Sequence, residues 1–369
     1  MIAKSDYTSS DSSKRQIKAA GKVIAARNTD RTKEVIDAFL VAHTWRDSFA
    51  YPMSRIHYEL SAKSRQFGEE VITAARLKRM QSIRRKLQNK AETLYQLQDI
   101  AGCRVVLPRE RDVDALVSLY HESALHRLVR QNDYIAEPKR DGYRSHHLIF
   151  KYNARDDWDR VYERQFIEVQ IRSRLQHAWA TAVEAVGLFT GDHLKWQEGN
   201  QTWLRFFELM SAEFAVAENR PIGPTASENT RIRRKELRDL SRELNAAETL
   251  DGYNHAISYA SVPGVRFSRY CILRFDLEER IVTVWPYHDD FDESSKAYIE
   301  AEKNGRVNTV LVEVQKAKSL EAAFPNYFLD VSDFVRHLRR ILDGNTAELT
   351  PSFKGVSLNL EFWKNRPVN

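Results

Sequence analysis

Cysteine is scarce in this chain, which contains only Cys103 and Cys271 in 369 residues. Two cysteines are too few for a disulfide framework or for a cysteine-rich zinc site. We therefore predict that both are buried thiols. The length has room for about two domains, each large enough to bury a core of its own.

Long apolar runs are also absent. No stretch of about 20 apolar residues occurs, so the sequence predicts no membrane-spanning helix. The first ten residues lack the apolar segment of a secretory signal. Together with a mean hydropathy of −0.55, these features predict a cytoplasmic protein that begins with a short disordered lead.

Acidic residues are slightly outnumbered, so the formal net charge is +6 and the pI about 9.1. The excess is concentrated in two segments. Residues 63–90 contain nine Lys or Arg residues and only two Glu residues, and residues 231–235 form a second basic run. The second run falls on a predicted helix whose own acidic residues offset it, and we interpret it as a solvated face. The charge permits nucleic-acid binding, but no aromatic-rich RNA-binding signature accompanies it.

The segment 76–86 is predicted to include an amphipathic helix. Its apolar positions recur at three- and four-residue steps and would bury one face: Leu77, Met80, Ile83 and Leu87. Arg76 and Lys78 lie just before this helix and Ser82 in its first turns, where free backbone N–H groups and the helix dipole favour anions. The segment therefore indicates a phosphate-binding site, with a solvated basic helix as the alternative.

Two carboxylates stand on or beside apolar strands. Asp99 precedes a predicted buried strand, and Glu168 lies on an alternating strand, on the same face as Gln170 and Arg172. Such a pair could bind Mg²⁺, which takes oxygen ligands from one or two carboxylates and from substrate phosphates. The alternatives are a turn or cap for Asp99 and a solvent-facing position for Glu168.

A turn punctuated by Pro138 and Gly142 is predicted to display Tyr143 on a loop. Three cations flank this ring: Lys139, Arg140 and Arg144. A tyrosine in such a setting can stack a purine while the cations hold its phosphates, and base–aromatic stacking contributes on the order of 1–3 kcal/mol. His147 follows on a predicted strand. A surface tyrosine without a role and a half-buried structural histidine are the alternatives.

Taken in order, the basic helix, Asp99, the Tyr143 loop and the Glu168 strand resemble the RelA/SpoT-type nucleotide pyrophosphokinases, the small alarmone synthetase family. The likeness covers about residues 45–215. It implies an ATP-dependent, synthetase-only enzyme that transfers the β,γ-pyrophosphate of ATP to a ribose 3′-hydroxyl, releases AMP and uses Mg²⁺. Such a transfer depends on positioning and charge neutralisation more than on covalent catalysis.

The resemblance also implies a role for each residue. The ATP phosphates would be bound by Arg76, Lys78, Ser82, Lys86 and Arg104. The catalytic and metal-binding acids would be Asp99 and Glu168. The acceptor would contact Lys139, Tyr143, Arg144, His147, Gln170 and Arg172. One departure is Asp141, where the long members of the family tend to carry Asn. This extra charge near the acceptor leaves the identity of the acceptor's nucleobase open.

The element pattern predicts an α+β fold, in which helices flank a mixed, nucleotidyltransferase-like sheet and a second, smaller β/α domain follows. The first unit, residues 1–220, has a helical stretch over 31–60 with a break at Tyr51 and Pro52, strands near 101–107, 145–152 and 163–171, and helices near 111–122, 173–186 and 197–218. A Pro/Gly break at 221–224 opens a linker and charged helix, residues 221–250. The C-terminal unit, residues 251–369, has predicted strands 270–277, 280–287 and 306–314 and helices near 293–303 and 330–342.

Two enzyme hypotheses share this one site. The favoured one follows the fused toxin–antitoxin (CapRel-like) members of the family, in which the synthetase pyrophosphorylates the 3′ end of tRNA. There the C-terminal domain restrains it until a phage protein is sensed. The alternative acceptor is GDP or GTP, giving guanosine tetra- and pentaphosphate, (p)ppGpp, with a C-terminal unit for regulation or oligomerisation.

A third hypothesis, an inactive nucleotide-binding module, is disfavoured because both Asp99 and Glu168 are present. The C-terminal unit shows no catalytic motif. Its segment 288–290 has the sequence His-Asp-Asp, but it lacks the partner histidines of a metal site.

Overall fold

A computed structural model describes most of the chain up to residue 261 and parts of the remainder. The described residues are 7–26, 33–89, 92–163, 165–189, 200–256, 258–261, 270–276, 281–287, 308–313, 330–347 and 349.

Three helices open the described chain, and strands and helices are mixed after them. The helices are α1 (Lys14–Ala25), α2 (Lys33–Asp47), α3 (Ala50–Ser64), α4 (Met80–Asn89), α5 (Glu110–Ser123), α6 (Arg174–Phe189), α7 (Gln201–Ala217), α8 (Thr230–Glu243), α9 (Ala246–Ala256) and α10 (Ser332–Leu342). The strands are β1 (Ile72–Leu77), β2 (Ala101–Leu107), β3 (Arg127–Asp133), β4 (His146–Lys151), β5 (Phe166–Ser173), β6 (Ser258–Ser261), β7 (Tyr270–Asp276), β8 (Ile281–Tyr287) and β9 (Asn308–Glu313). Within the described part of the chain they form one mixed sheet in the order β3-β4-β5-β2-β1-β9-β7-β8-β6.

The sheet lies between two helical layers, as the alternation along β5 shows. The odd-numbered residues 167 to 171 enter an apolar cluster with α1 to α5, and the even-numbered residues 168 to 172 point to the opposite face. On that opposite face, a second cluster packs α6 to α10 against the sheet. The central strands β2 and β5 pair in parallel. This arrangement places the polar residues of β5 between the sheet and the α6–α7 layer.

The α+β prediction is confirmed, but five of the described helices and strands were not predicted: α1, β1, β3, α9 and β6. The start of α1 carries a recognisable signal, a capping box of Ser13 and Gln16. β1 contains two alanines and an arginine, which favour a strand only weakly, and β3 is a largely exposed edge strand. The predicted break of the N-terminal helix is displaced, since α2 ends at residue 47 and Pro52 lies inside the first turn of α3, where proline is tolerated.

The C-terminal strands continue the sheet of the first unit. β9 pairs antiparallel with β1, with Arg76 opposite Val312, and β7 and β8 form the predicted hairpin beside it. Helices α9 and α10 join the same apolar cluster as α6 and α7. Contacts therefore cross the expected boundary at residue 220, and the division into domains stays a prediction.

Some expectations fall on parts of the chain that the structure does not describe. The predicted helix near 293–303 and the segment 288–290 lie outside the described residues, as does the side chain of Cys271. Cys103 is a buried free thiol, as predicted. No helix among the described residues is both long and apolar enough to cross a membrane.

Candidate active site

A cavity of about 510 Å³ lies between the sheet and helices α6 and α7. Its size is within the roughly 300–1,000 Å³ of small-molecule sites. The predicted site residues that line it are Arg76, Lys78, Lys86, Asp99, Arg104, Lys139, Tyr143, His147, Glu168, Gln170 and Arg172. Segments far apart in sequence thus meet at one place, because alternate residues of neighbouring strands share one face of the sheet.

Asp99 lies just before β2 and is held by two lysines. Lys78 Nζ donates to one carboxylate oxygen at 2.7 Å, and Lys86 Nζ donates to the other at 2.9 Å. Burial alone would raise the pKa of Asp99, but the charges and hydrogen bonds of both lysines lower it to about 2. Asp99 is therefore an anion at neutral pH, with two cations positioned beside it.

Glu168 on β5 ends a hydrogen-bonded chain that reaches Tyr143. Its Oε1 lies 2.8 Å from Nδ1 of His147, whose Nε2 lies 2.7 Å from the Tyr143 hydroxyl. Its Oε2 accepts a hydrogen bond from Gln170 Nε2 at 2.7 Å. Burial raises the pKa of Glu168, but the hydrogen bond and charge of His147 outweigh that effect and lower it. Glu168 is thus a fixed, ionised hydrogen-bond acceptor.

Three arginines form a cluster of positive charge inside the cavity: Arg76, Arg104 and Arg172. Burial, followed by repulsion from Arg172 and Arg76, lowers the pKa of Arg104 to about 9. Burial also lowers the pKa of Arg76, and the nearby carboxylate of Glu184 offsets part of this lowering. Mutual repulsion of this kind marks a local excess of cations, which phosphate oxygens would offset through charge-assisted hydrogen bonds.

Tyr143 lies on the loop between β3 and β4, as predicted, and is half-buried in the wall of the cavity. Its hydroxyl accepts a hydrogen bond from Arg172 Nη2 at 2.7 Å, and the ammonium of Lys139 lies 4.8 Å from its ring centroid. The backbone N–H of Tyr143 donates to the Asp141 carboxylate at 3.0 Å. Asp141 therefore closes the turn, a role in which Asn and Asp are equivalent.

Two predicted site residues are not among those that line the cavity. Ser82 lies on the first turn of α4, half-buried, and its contact with ATP stays a prediction. Arg144 is 3% exposed and points away from the cavity into the protein: its Nε donates to Ser211 and its Nη1 to the backbone oxygen of Ile135. The expectation that Arg144 contacts the acceptor is corrected, because its guanidinium is used within the fold.

The sequence did not reveal several lining residues. Arg130, Asn132 and Tyr134 come from β3 and the residue after it, and their period of two would have indicated a shared face had the strand been recognised. His177 of α6 is not among the lining residues but is buried near Arg104 and Arg172, and neither of its ring nitrogens has a hydrogen-bond partner among the described residues. Burial, then Arg104 and Arg172, lower the pKa of His177 well below its usual value, so it is neutral.

The carboxylates available for a metal are few. No group of three or more His, Cys, Asp or Glu side chains suited to a metal occurs in the described residues. Asp99 and Glu168 line the same cavity and interact electrostatically. Their donor set fits Mg²⁺, which commonly takes one or two carboxylates and completes its shell with water and substrate phosphates.

Residues 75–189 match the family model described as a region found in RelA / SpoT proteins. GTP pyrophosphokinase YjbM of Bacillus subtilis is 33% identical over 109 residues, which are 29% of this chain and 51% of that protein. YwaC of the same organism is 34% identical over 115 residues, 30% of this chain and 54% of that protein. The GTP pyrophosphokinase of Haemophilus influenzae is 28% identical over 162 residues, 42% of this chain and 20% of that protein.

This chain thus spans about half, or less, of the length of these relatives. Among solved structures, small alarmone synthetase 1 from Bacillus subtilis bound to its product pppGpp has a TM-score of 0.40 and 20% identity, covering 51% of this chain and 94% of that one. Small alarmone synthetase 2 from the same organism has a TM-score of 0.39 and 23% identity, covering 46% and 90%. The RelA/SpoT region, residues 75–189, is the part of the chain that matches this family model, and it supplies nearly all of the residues that line the cavity.

Proposed function

We propose that this protein is an ATP-dependent pyrophosphokinase that transfers the β,γ-pyrophosphate of ATP to a ribose 3′-hydroxyl. The proposal rests on the side chains that line one cavity. They are Asp99, which two lysines hold, a cluster of three arginines, and an ionised Glu168. Cations and carboxylates in this arrangement suit phosphoryl-type transfer, in which charge neutralisation and positioning lower the barrier. Relatives named GTP pyrophosphokinase support the same reaction class.

ATP would place its phosphates against the cations of β1, α4 and β2. Lys78 and Lys86 would turn from Asp99 toward the phosphates, and Arg76 and Arg104 would bind the pyrophosphate that is transferred. The acceptor 3′-oxygen forms a bond to the β-phosphorus, the bond from that phosphorus to the bridging α–β oxygen breaks, and AMP leaves. The proton of the hydroxyl passes to Glu168, which His147 and Gln170 hold in place.

Asp99 and Glu168 are the residues that would hold Mg²⁺. When bound, the ion would neutralise charge on the pyrophosphate and so favour attack. Because Asp99 is paired with lysines and its pKa is about 2, it remains available as an anionic oxygen ligand throughout the physiological pH range. Chelation of divalent cations should therefore stop turnover, and added Mg²⁺ should restore it.

The acceptor proposal rests on two observations that favour different molecules. The names of the relatives favour GDP or GTP, whose base would stack on Tyr143. A tRNA 3′ end is favoured by the exposed cations beside the cavity: Arg130 lines it and is exposed, as is Arg127 on the same edge strand. A longer polyanion could follow these cations out of the cavity. The names of the relatives move the guanine nucleotide ahead of tRNA, which the sequence had favoured, as the first acceptor to test.

Toxicity, restraint by the C-terminal unit and release by a phage protein belong to the tRNA hypothesis. Two contacts between the C-terminal elements and the cavity elements support them: β9 pairs with the strand that carries Arg76, and Phe334 of α10 packs on α7. A restraint acting through the β9 contact would alter ATP binding rather than block the acceptor loop.

A labelled-ATP assay tests the proposal. ATP labelled at the γ-phosphate is offered with GDP, GTP and deacylated tRNA in parallel, and AMP is measured with the labelled product. Equal amounts of AMP and labelled acceptor are expected, whereas ADP or free phosphate would indicate ordinary hydrolysis and refute pyrophosphate transfer. Asp99→Asn serves as the inactive control, since it removes one charge without changing shape.

A further inference from the structure

Helix α7 forms part of the cavity although it lies beyond the RelA/SpoT region. Leu204 and Phe207 line the cavity, and the indole N–H of Trp179 on α6 donates to the backbone oxygen of Phe207 at 2.7 Å. Trp179 in turn contacts the ring of Tyr143, with 6.4 Å between centroids. One face of α7 is thus packed beside the loop that carries the proposed stacking ring.

A single hydroxyl group on α7 forms hydrogen bonds with this loop on both sides of Tyr143. Ser211 is 2% exposed; its Oγ donates to the backbone oxygen of Gly142 at 2.6 Å and accepts from Arg144 Nε at 2.9 Å. Arg144 also donates to the backbone oxygen of Ile135 at 3.2 Å, so it connects the two ends of the loop. We call the set of Gly142, Arg144 and Ser211 the loop latch.

The backbone at Gly142 is in close contact with α7. Its φ is +86°, and a Cβ added there would lie 2.9 Å from Ser211 Cβ and 3.3 Å from the Cα of Glu208. Only glycine adopts this conformation at low cost and leaves enough room for the helix. The loop is therefore fixed against α7 by shape as well as by hydrogen bonds.

We propose that Ser211 is a positioning residue for the acceptor: through the loop latch it sets where Tyr143 stands in the cavity. This inference rests on the proposed function, in which Tyr143 stacks the acceptor base. Ser211 does not line the cavity and touches neither the lysines at Asp99 nor the arginine cluster. Its loss should consequently weaken the acceptor while leaving ATP binding unchanged.

The test compares Ser211→Ala with Ser64→Ala in the full chain. Ser64 is an equally buried serine whose hydroxyl bonds a helix carbonyl in α3, away from the loop. For Ser211→Ala we expect KM for the acceptor to rise roughly 10- to 100-fold, as small displacements of a positioning group do, with KM for ATP unchanged. Ser64→Ala should leave both constants unchanged. Gly142→Ala alters the other side of the latch and should give the same selective rise.

Amide hydrogen exchange provides a readout that does not depend on turnover. Faster exchange in residues 134–147 but not in β5 is expected for Ser211→Ala and not for Ser64→Ala. An unchanged acceptor KM in both latch variants, or an equal rise in the KM for ATP, would overturn the proposal. If the wild-type chain pyrophosphorylates no acceptor, the proposed function fails by itself, and exchange alone decides whether Ser211 fixes the loop.

Discussion

Glu218 provides a test of how one buried carboxyl group affects the pH dependence of the free energy of unfolding. This group connects the end of α7 to the junction of β5 and α6. It is 8% exposed, and its carboxyl group accepts hydrogen bonds from Gln176 Nε2 at 2.9 Å and from the hydroxyl of Ser173. Burial raises its pKa, and this effect exceeds the lowering by the hydrogen bonds of Ser173 and Gln176, so the result is about 7. The fold therefore favours the protonated acid.

The sign and size of the effect on stability follow from linkage. A folded pKa of about 7 against an ordinary value of 4.5 means that the folded state holds the proton more tightly. The stabilisation is fully present below pH 4.5 and is lost as the pH rises through 7. At about 1.4 kcal/mol per pKa unit, the free energy of unfolding should lose roughly 2–3 kcal/mol from this group between pH 5 and pH 8.

The variant Glu218→Gln imitates the protonated acid, because its amide N–H can donate to Ser173 and its oxygen can accept from Gln176. We expect urea unfolding of the wild type and the variant to give stabilities that diverge in favour of the variant by roughly 2–3 kcal/mol from pH 5 to pH 8. The difference between the two chains removes the contribution of every other titrating group. The exposed Glu122→Gln is the control. A parallel pH dependence in Glu218→Gln and the wild type would refute the buried-acid argument.

The remaining predictions concern the site and the C-terminal elements. Asp99→Asn and Glu168→Gln should each abolish pyrophosphate transfer with the unfolding midpoint retained, and near-normal AMP release in either would refute the assignment. Tyr143→Ala should raise the acceptor KM in a steady-state assay, while a loss confined to ATP affinity would place the loop at the other nucleotide. Phe334→Ala should lower stability by about 3–5 kcal/mol in urea unfolding, because its side chain is fully buried; an unchanged midpoint would contradict the packing of α10. A fragment 1–220 should expose apolar surface and bind a hydrophobic dye, and a compact fragment without dye binding would show that the first unit folds alone.

Much of the site was predictable because strand alternation is a local property. The period of two along residues 166–172 is enough to put Glu168, Gln170 and Arg172 on one face, and the structure places all three in the cavity. Asp99 was predicted from its position beside an apolar strand. What links them, the parallel pairing of β2 with β5, depends on contacts between distant segments.

The parts that escaped prediction share a physical cause: a polar side chain does not reveal its partner in the sequence. Arg144 stands among cations that were expected to reach the acceptor, yet its guanidinium is buried against Ser211. Asp141 lines the cavity, so its charge lies near the proposed acceptor as expected, and it also accepts a hydrogen bond from the backbone N–H of Tyr143. The position of Arg144 depends on the packing of α7, which an apolar helical pattern predicts only as core.

The C-terminal elements contact both α7 and β1, and these contacts determine how they could influence the cavity. Phe334 of α10 packs on α7, with its ring centroid 5.7 to 6.2 Å from those of Phe206, Phe207 and Phe214. On the same helix, Ser211 holds the acceptor loop, and at the sheet β9 pairs with β1, with Arg76 opposite Val312. Any influence of the C-terminal elements can therefore reach both nucleotides through packed contacts. Deleting those elements would remove the proposed restraint and the structural support of α7 together, so single-residue variants at Phe334 and Ser211 separate the two more cleanly than truncation.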